Sequence, residues 1–385
     1  MLQPRPRWRP SADRTVLPQL LSITDFRNIA QARLELAPRL TYLVGDNAQG
    51  KTNALEALAY ALSLRPLRQA RPGDLIRRGA QRSRIDVELS GRSLPWQVRV
   101  DIGRSGRQVL VNDKPLRDPA QILGAVALVT FAPDDLQLVK GGPELRRRSL
   151  DRFVFQVQPA HLKHVRDLGR ALRSRNLLLK RGEREDVSLQ AFSETLAVAG
   201  ARVMLGRRMG VALLREVVQR RHALLAPGGG SLDLNYRPSV AVSDDADEAS
   251  VAEALRQALE RSRGADLARR QTCKGPHADE LLLSLDGEPA RGFASQGQSR
   301  SIVLALRLAE VDEIARARGQ GPVLLADDLL AELDEKRASA LLHTVEEAGA
   351  RVVATGTRLP AGIDHGQEGT HVCHVQQGRL QIRPS

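Results

Sequence analysis

At 385 residues the chain is long enough to bury a sizeable core and to divide into two domains. Its formal charge of +13 and pI near 10.6 favour an acidic partner, nucleic acid ahead of membrane. The same excess has a second source, because seven lysines stand against fifty-one arginines, a bias that GC-rich coding also produces, and arginine on a helix face is often only solvated. Cys273 and Cys373 have no CxxC neighbours, which excludes a disulfide framework and a zinc ribbon and suits a reducing cytoplasm. The longest apolar run, 122–132, is too short to span a bilayer.

The opening "MLQPRPRWRP" is basic, broken by proline and without the apolar stretch of a signal peptide; residues 1–17 read as a disordered tail or an over-extended start. Then "LTYLV", a buried strand, runs straight into "GDNAQGKT". Gly45, Gly50, Lys51 and Thr52 fit G-x-x-x-x-G-K-[ST], and Leu55, Leu58 and Leu62 at i, i+3 and i+7 put a helix directly after the loop. Glycines let successive backbone N–H groups curl around an anion while the helix aims its positive end at the same point. The nucleotide-binding set is therefore Gly45, Asp46, Asn47, Ala48, Gln49, Gly50, Lys51 and Thr52. Lys51 is expected to reach the β- and γ-phosphates and Thr52 to hold Mg²⁺.

Short strands follow in "RIDVELS", "WQVRVDI" and "RQVLVNDKPL", the last turning at Asn112-Asp113. From about residue 143 to 270 the pattern changes to long, charged, helix-period segments, interrupted by a turn and strand in "APGGGSLDLNYRP". This block reads as an inserted helical arm. "GPHADELLLSLDGEPA" is a hairpin turning at Asp286-Gly287, and "PVLLADD" and "ARVVAT" are buried parallel strands. The expected architecture is thus α/β: a nucleotide-binding head split into 18–142 and 271–385, flanking a mainly helical arm at 143–270.

Two further motifs bear on chemistry. In "PVLLADDLLAELD" an apolar strand ends in paired acids; Asp327 is placed to serve the Mg²⁺ shell and Asp328 to polarise an attacking water. In "FASQGQSRSIVLALRLAEVDEI" Ser295, Gly297 and Gln298 open a helix that is apolar over much of its circumference, and so form an anion-binding cap. A P-loop, a helical insertion, an S-x-G-Q signature and an acid-terminated strand, in that order, resemble the ABC-type ATPases. In that class the signature of one subunit caps ATP held in the P-loop of another. Ala331 to Asp334 would be the D-loop, with Asp334 at the interface.

More narrowly the chain resembles the RecF family, over about residues 18–360. The likeness rests on "FRNI", "GDNAQGKTNALEAL", "FAPDDLQLVKGGPELRRRSLD", "RSRNLLLK", "GPHADEL", "FASQGQSR" and "LLADDLLAELD". It implies an ABC-type head, ATP and Mg²⁺ as cofactors, and slow, DNA-dependent ATP hydrolysis used as a switch. It also implies an ATP-dependent homodimer on duplex DNA and single-strand/duplex junctions, working with RecR and RecO to place RecA in the cytoplasm during repair and replication restart. Arg146, Arg147 and Arg148 are then candidate DNA contacts. Ala278 stands where an arginine is expected, Ser299 replaces a glutamine, Asp328 replaces the glutamate of transporters, and Thr355 and Thr357 stand in place of their histidine. A transporter subunit is the first alternative; the long arm and the distance from Ser295 to Asp327 argue against it. An SMC-like tether is the second, and this arm lacks sustained heptads.

Overall fold

The computed structural model describes residues 16–68, 70–90, 96–181, 186–329, 335–360, 363 and 367–382. The expectations for residues 1–15 and for the D-loop at Asp334 lie outside the described residues. The chain forms two compact units: Met1–Asp135 with Arg307–Ser385, and Leu136–Leu306.

The first unit begins with β1 (Leu17–Phe26), β2 (Ile29–Glu35), β3 (Leu40–Val44), α1 (Lys51–Ser63), β4 (Arg82–Ser90), β5 (Trp96–Gly103), β6 (Gly106–Val111), β7 (Lys114–Pro115), α2 (Ala120–Ala125) and β8 (Leu128–Phe131). Along β4 and β5 every second residue is buried, the period-2 signature of strands with one face on a core. They join an antiparallel sheet of order β2-β1-β4-β5-β6-β7. Asn112 and Asp113, both at positive φ, make the tight turn from β6 to β7. Helix α1 is apolar nearly all round, with every residue from 54 to 62 buried, as expected of a helix enclosed on several sides. Its Leu55 and Leu58 share one core with Ile85 and Val98 of this sheet and with Leu43, Leu325 and Val353 of a second sheet.

The second unit holds α3 (Gln137–Lys140), α4 (Pro143–Val157), α5 (His161–Arg181), α6 (Asp186–Leu225), β9 (Leu232–Arg237), α7 (Glu248–Arg261), α8 (Arg263–Arg269), β10 (Glu280–Leu285), β11 (Glu288–Pro289), α9 (Ala290–Phe293) and the first half of α10 (Gln296–Arg318). Its boundary differs from the expected one. Residues 271–306, assigned from sequence to the head, belong here because β10 pairs antiparallel with β9 from Leu285↔Leu232 to Glu280↔Arg237. That pairing spans some forty residues of chain and leaves no local mark in the sequence.

A buried ionic cluster ties this unit together. Arg207 of α6 grips Asp151 of α4 through two bonds of 2.8 and 2.9 Å and reaches Asp279 at 3.3 Å. His161 lies 3.0 Å from the same Asp151 carboxylate, and Tyr236 donates its hydroxyl proton to Asp279. Ala278, where the family pattern has arginine, is exposed, whereas its neighbour Asp279 is fully buried. Burial alone would raise the pKa of Asp151, but the Arg207 fork and the His161 ring outweigh it and bring the carboxyl down to about 2. A folded pKa below the unfolded value of 3.8 stabilises at higher pH and is lost as pH falls through the interval from 3.8 to about 2. The expected loss is about 2 kcal/mol. Urea titrations between pH 5 and pH 2 should show it for the native chain and show correspondingly less for Asp151→Asn.

The chain returns to the first unit through the second half of α10, whose buried Arg307 bonds Glu310 at 2.8 Å and Asp135 at 3.0 Å. It continues with β12 (Val323–Ala326), α11 (Glu335–Glu347), β13 (Arg351–Gly356), β14 (Thr370–Gln376) and β15 (Arg379–Ile382). The second sheet has the order β15-β14-β3-β13-β12-β8 and is parallel except for the β14–β15 hairpin. Strands β3, β12 and β13 are buried at every residue, which is why they read as unbroken apolar runs.

Candidate nucleotide site

The site forms at the carboxyl ends of neighbouring parallel strands, where open α/β sheets place their ligands. β3 ends at Val44 and releases the loop 45–50; β12 ends at Ala326 and releases Asp327. β13 lies between them, with Ala354 opposite Ala326 and Gly356 opposite Val44, so Thr355 faces the gap.

Glycine is required at two loop positions. A Cβ on Gly45 would stand 2.3 Å from the carbonyl oxygen of Val375. Gly50 has φ 114° and a Cβ there would meet Asn28 at 2.9 Å. Lys51, only 4% exposed, donates from Nζ to the carbonyls of Gly45 and Asp46, both at 2.8 Å, and so closes the loop on itself. The Thr52 hydroxyl donates to Asp327 Oδ1 at 2.7 Å. Thr355 donates to the same oxygen at 2.9 Å, and its oxygen accepts the backbone N–H of Asp328 at 2.8 Å. Arg68 stands 3.7 Å from Asp327 Oδ2.

Asp327 is 3% exposed, and burial raises its pKa. The bonds from Thr52 and Thr355 and the charge of Arg68 oppose that rise, while the neighbouring Asp328 adds to it. Asp328 is half-buried at φ 52°, a left-handed conformation that costs energy outside glycine and often marks functional sites. Thr52 and Asp327 offer hard oxygen donors side by side, which fits Mg²⁺; such an ion is typically held by one or two protein oxygens together with substrate phosphates. Among the described residues no cluster of His, Cys, Asp and Glu could hold a metal unaided.

Several supports of the loop had no signal in the sequence. The turn between β14 and β15 braces it from outside: Gly378 N–H donates to the Gln49 carbonyl at 2.8 Å and Gln377 N–H to its side-chain oxygen at 2.7 Å. The Gln49 side chain is therefore engaged by protein. On the other flank Asn53 donates to Asn28 at 2.8 Å, and Arg27 bonds the fully buried Glu56 of α1 twice, at 3.0 and 3.1 Å. The "FRNI" string thus fastens β1 to the helix that carries Lys51. Thr355 and Thr357, noted together in the sequence, part company here, since Thr355 is buried against Asp327 and Thr357 is exposed.

Ser295 and Gln298, in the second unit, form a reciprocal capping box at the start of α10. Gln298 N–H donates to Ser295 Oγ at 3.2 Å and Ser295 N–H to Gln298 Oε1 at 2.9 Å. Ser295 and Gly297 are exposed, and Ser299 is buried with its hydroxyl on the Ser295 carbonyl at 2.8 Å. The expected DNA contacts fare differently. Arg146 is buried and spends its fork on Glu280, at 2.9 and 3.1 Å, and on two backbone carbonyls. Arg147 donates to the Asp279 carbonyl at 2.6 Å, and Arg148 pairs with Glu144. Consecutive helical residues point in different directions, so a run of three arginines does not make a patch; Arg146 is corrected to a structural residue.

A family model described as the RecF/RecN/SMC N terminal domain matches residues 18–365. The chain is 41% identical over 343 residues to the DNA replication and repair protein RecF of Myxococcus xanthus, covering 88% of this chain and 90% of that one. It belongs to the RecF family. The RecF of Synechococcus sp. is 36% identical to this family member over 95% of this chain and 98% of its own. A solved structure of the recombination mediator protein RecF with ATP, in the RecFOR pathway, superposes with a TM-score of 0.88 at 26% identity, over 97% of this chain and 99% of that one. An Smc head domain from Pyrococcus furiosus, at 15% identity and a TM-score of 0.56, shares the fold. The chain is therefore a RecF-type DNA replication and repair protein with an SMC-type ATPase head. Among the described residues no helix is long and apolar enough to cross a membrane.

Proposed function

We propose that this RecF-family chain is an ATP-switched DNA clamp. The observation that carries the reading is the Thr52–Asp327 bond of 2.7 Å beside the Lys51-closed loop. It joins the hydroxyl that follows the P-loop lysine to the acid that ends a neighbouring strand. ATP enters the loop 45–50, where Lys51 exchanges its two carbonyl partners for phosphate oxygens. Thr52 and Asp327 would hold Mg²⁺, which when bound would supply neutralisation of phosphate charge. Asp328 orients the attacking water, and its position is held by the bond from its backbone N–H to Thr355. Hydrolysis is slow, because ATP times a state rather than driving bulk turnover.

In this reading the exposed Ser295 and Gly297 and the half-buried Gln298 of one copy cap the ATP of a second, so ATP joins two heads on DNA. The dimer binds duplex DNA and single-strand/duplex junctions in the cytoplasm and acts with RecR and RecO to place RecA. Support comes from the exposed helix cap, the basic balance of the chain, and the relative solved with ATP in the RecFOR pathway.

Sedimentation velocity tests the composite site. The native chain should shift from monomer to dimer on adding ATP. Ser295→Arg should still bind ATP within a few-fold of native affinity yet stay monomeric, because a long cation then fills the cap. A Ser295→Arg chain that dimerises with ATP removes the signature from this role.

A further inference from the structure

The loop 45–50 is held from a direction that its own sequence does not supply. β14 and the turn that follows it reach both of its ends. At the first end the Val375 carbonyl oxygen lies 2.3 Å from where a Cβ on Gly45 would stand. At the second, Gln377 and Gly378 donate their backbone N–H groups to the side-chain and main-chain oxygens of Gln49, at 2.7 and 2.8 Å. Gln49 is half-buried and Gly50 buried, whereas Asp46, Asn47 and Ala48 are exposed. Ala48 has φ 64°, a left-handed conformation that costs energy outside glycine. The residue next to that strained position is the one the turn grips.

The turn is itself fixed. Gln377 and Gly378 have φ 48° and 74°, and a Cβ on Gly378 would stand 2.6 Å from the Asn28 carbonyl oxygen. It is therefore seated between the loop and the β1–β2 turn, with no room for a side chain. Behind it, Cys373 and Val375 of β14 are buried in the core that both sheets share, and Leu380 of β15 packs against that core. From the β1–β2 turn, the Asn28 side chain donates to the Ala48 carbonyl at 3.4 Å. A glycine-containing loop left to itself samples many conformations. Only the fraction with its N–H groups converging binds phosphate, and apparent affinity scales with that fraction. Both oxygens of Gln49 are engaged by the turn, so this residue can fix the fraction without touching phosphate.

We propose that the β14–β15 turn is a clasp that holds the loop 45–50 in its anion-binding shape before ATP arrives, and that Gln49 is the positioning residue through which it acts. This deepens the ATP-binding reading above and rests on it. A hairpin 328 residues further along the chain thereby sets the affinity for a ligand that it does not contact. The cost of ordering the loop is met when the two sheets fold, and ATP enters a site that is already shaped.

Calorimetric titration with ATP and steady-state hydrolysis test it on the full chain. Q49M keeps the length of the side chain and removes the acceptor. G378A sets a methyl group against the Asn28 carbonyl and displaces the turn without altering the loop. Q377G keeps the N–H donor and suits the positive φ, so it should bind ATP like the native chain. Q49M and G378A should each weaken ATP binding about tenfold, equivalent to about 1.4 kcal/mol. KM should rise by the same factor while kcat falls by less than about twofold, a split that a general loss of folded protein would not produce. The double variant Q49M/G378A should bind no more weakly than G378A alone, because both changes open one clasp. Without ATP, hydrogen exchange at the amides of residues 45–50 should quicken about tenfold in both single variants. Urea unfolding reports whether each variant folds, and Q49M carries the test if G378A does not. Native ATP affinity and native loop exchange in folded Q49M overturn the proposal, and so do additive losses in the double variant. A native chain that binds no ATP overturns the ATP-binding reading itself.

Discussion

Lys51→Met is expected to reduce ATP affinity by about 100-fold or more, the equivalent of roughly 3 kcal/mol for a charge-assisted contact to phosphate. Lys51 is buried to 4% exposure and its ammonium sits between the Gly45 and Asp46 carbonyls, at the mouth of the loop. Methionine retains the length and packing of the stem and removes only the charge and the donors. The loop should therefore survive largely in place, held by the Gly378–Gln49 bond and by Asn28, and the loss should fall on phosphate binding rather than on folding. Lys51→Arg is a sharper probe. Its planar fork is too bulky for the space between the two carbonyls, so binding should persist in weakened form while turnover stops. Calorimetric titration with ATP, alongside urea unfolding, separates the two effects. Equal ATP affinity in the native chain and Lys51→Met would show that this loop is a structural turn.

The parts of the fold that could be read from sequence are those whose signal is local. The buried strand Leu40–Val44, the glycines of the loop and the helix starting at Lys51 carry their reasons within twenty-five residues, and so do the Asn112-Asp113 and Asp286-Gly287 turns. "PVLLADD" and "ARVVAT" were legible because strands buried on both faces are uniformly apolar. What was not legible is non-local. The β9–β10 pairing moved residues 271–306 from the head to the second unit. The brace from Gln377 and Gly378 onto Gln49 joins residues more than three hundred positions apart. Thr355 acquires its place only because β13 inserts between β3 and β12, which no spacing along the chain reveals. Arg146 is buried while Arg148 is exposed for a related reason: adjacent residues on a helix share a sequence but not a face.

In the proposed switch, hydrolysis in the head sets how long the chain stays on DNA. Asp328→Asn isolates that step, because asparagine keeps the shape and hydrogen-bonding capacity of the side chain but lacks the basicity needed to prepare a water. Hydrolysis should fall by about 100-fold or more, in line with the usual contribution of a positioned base. ATP binding and dimerisation should persist, since neither draws on the Asp328 charge. Asp327→Asn acts earlier. It removes the charge that receives both Thr52 and Thr355, so Mg²⁺-dependent ATP binding and dimer formation should both weaken. The most direct measurement is the rate at which each protein leaves a gapped duplex in the presence of ATP and Mg²⁺, followed after adding excess competitor DNA. Asp328→Asn should dissociate much more slowly than the native chain, and Asp327→Asn should dissociate faster. Native-like dissociation of Asp328→Asn, with its hydrolysis abolished, would contradict the claim that ATP hydrolysis times release from DNA.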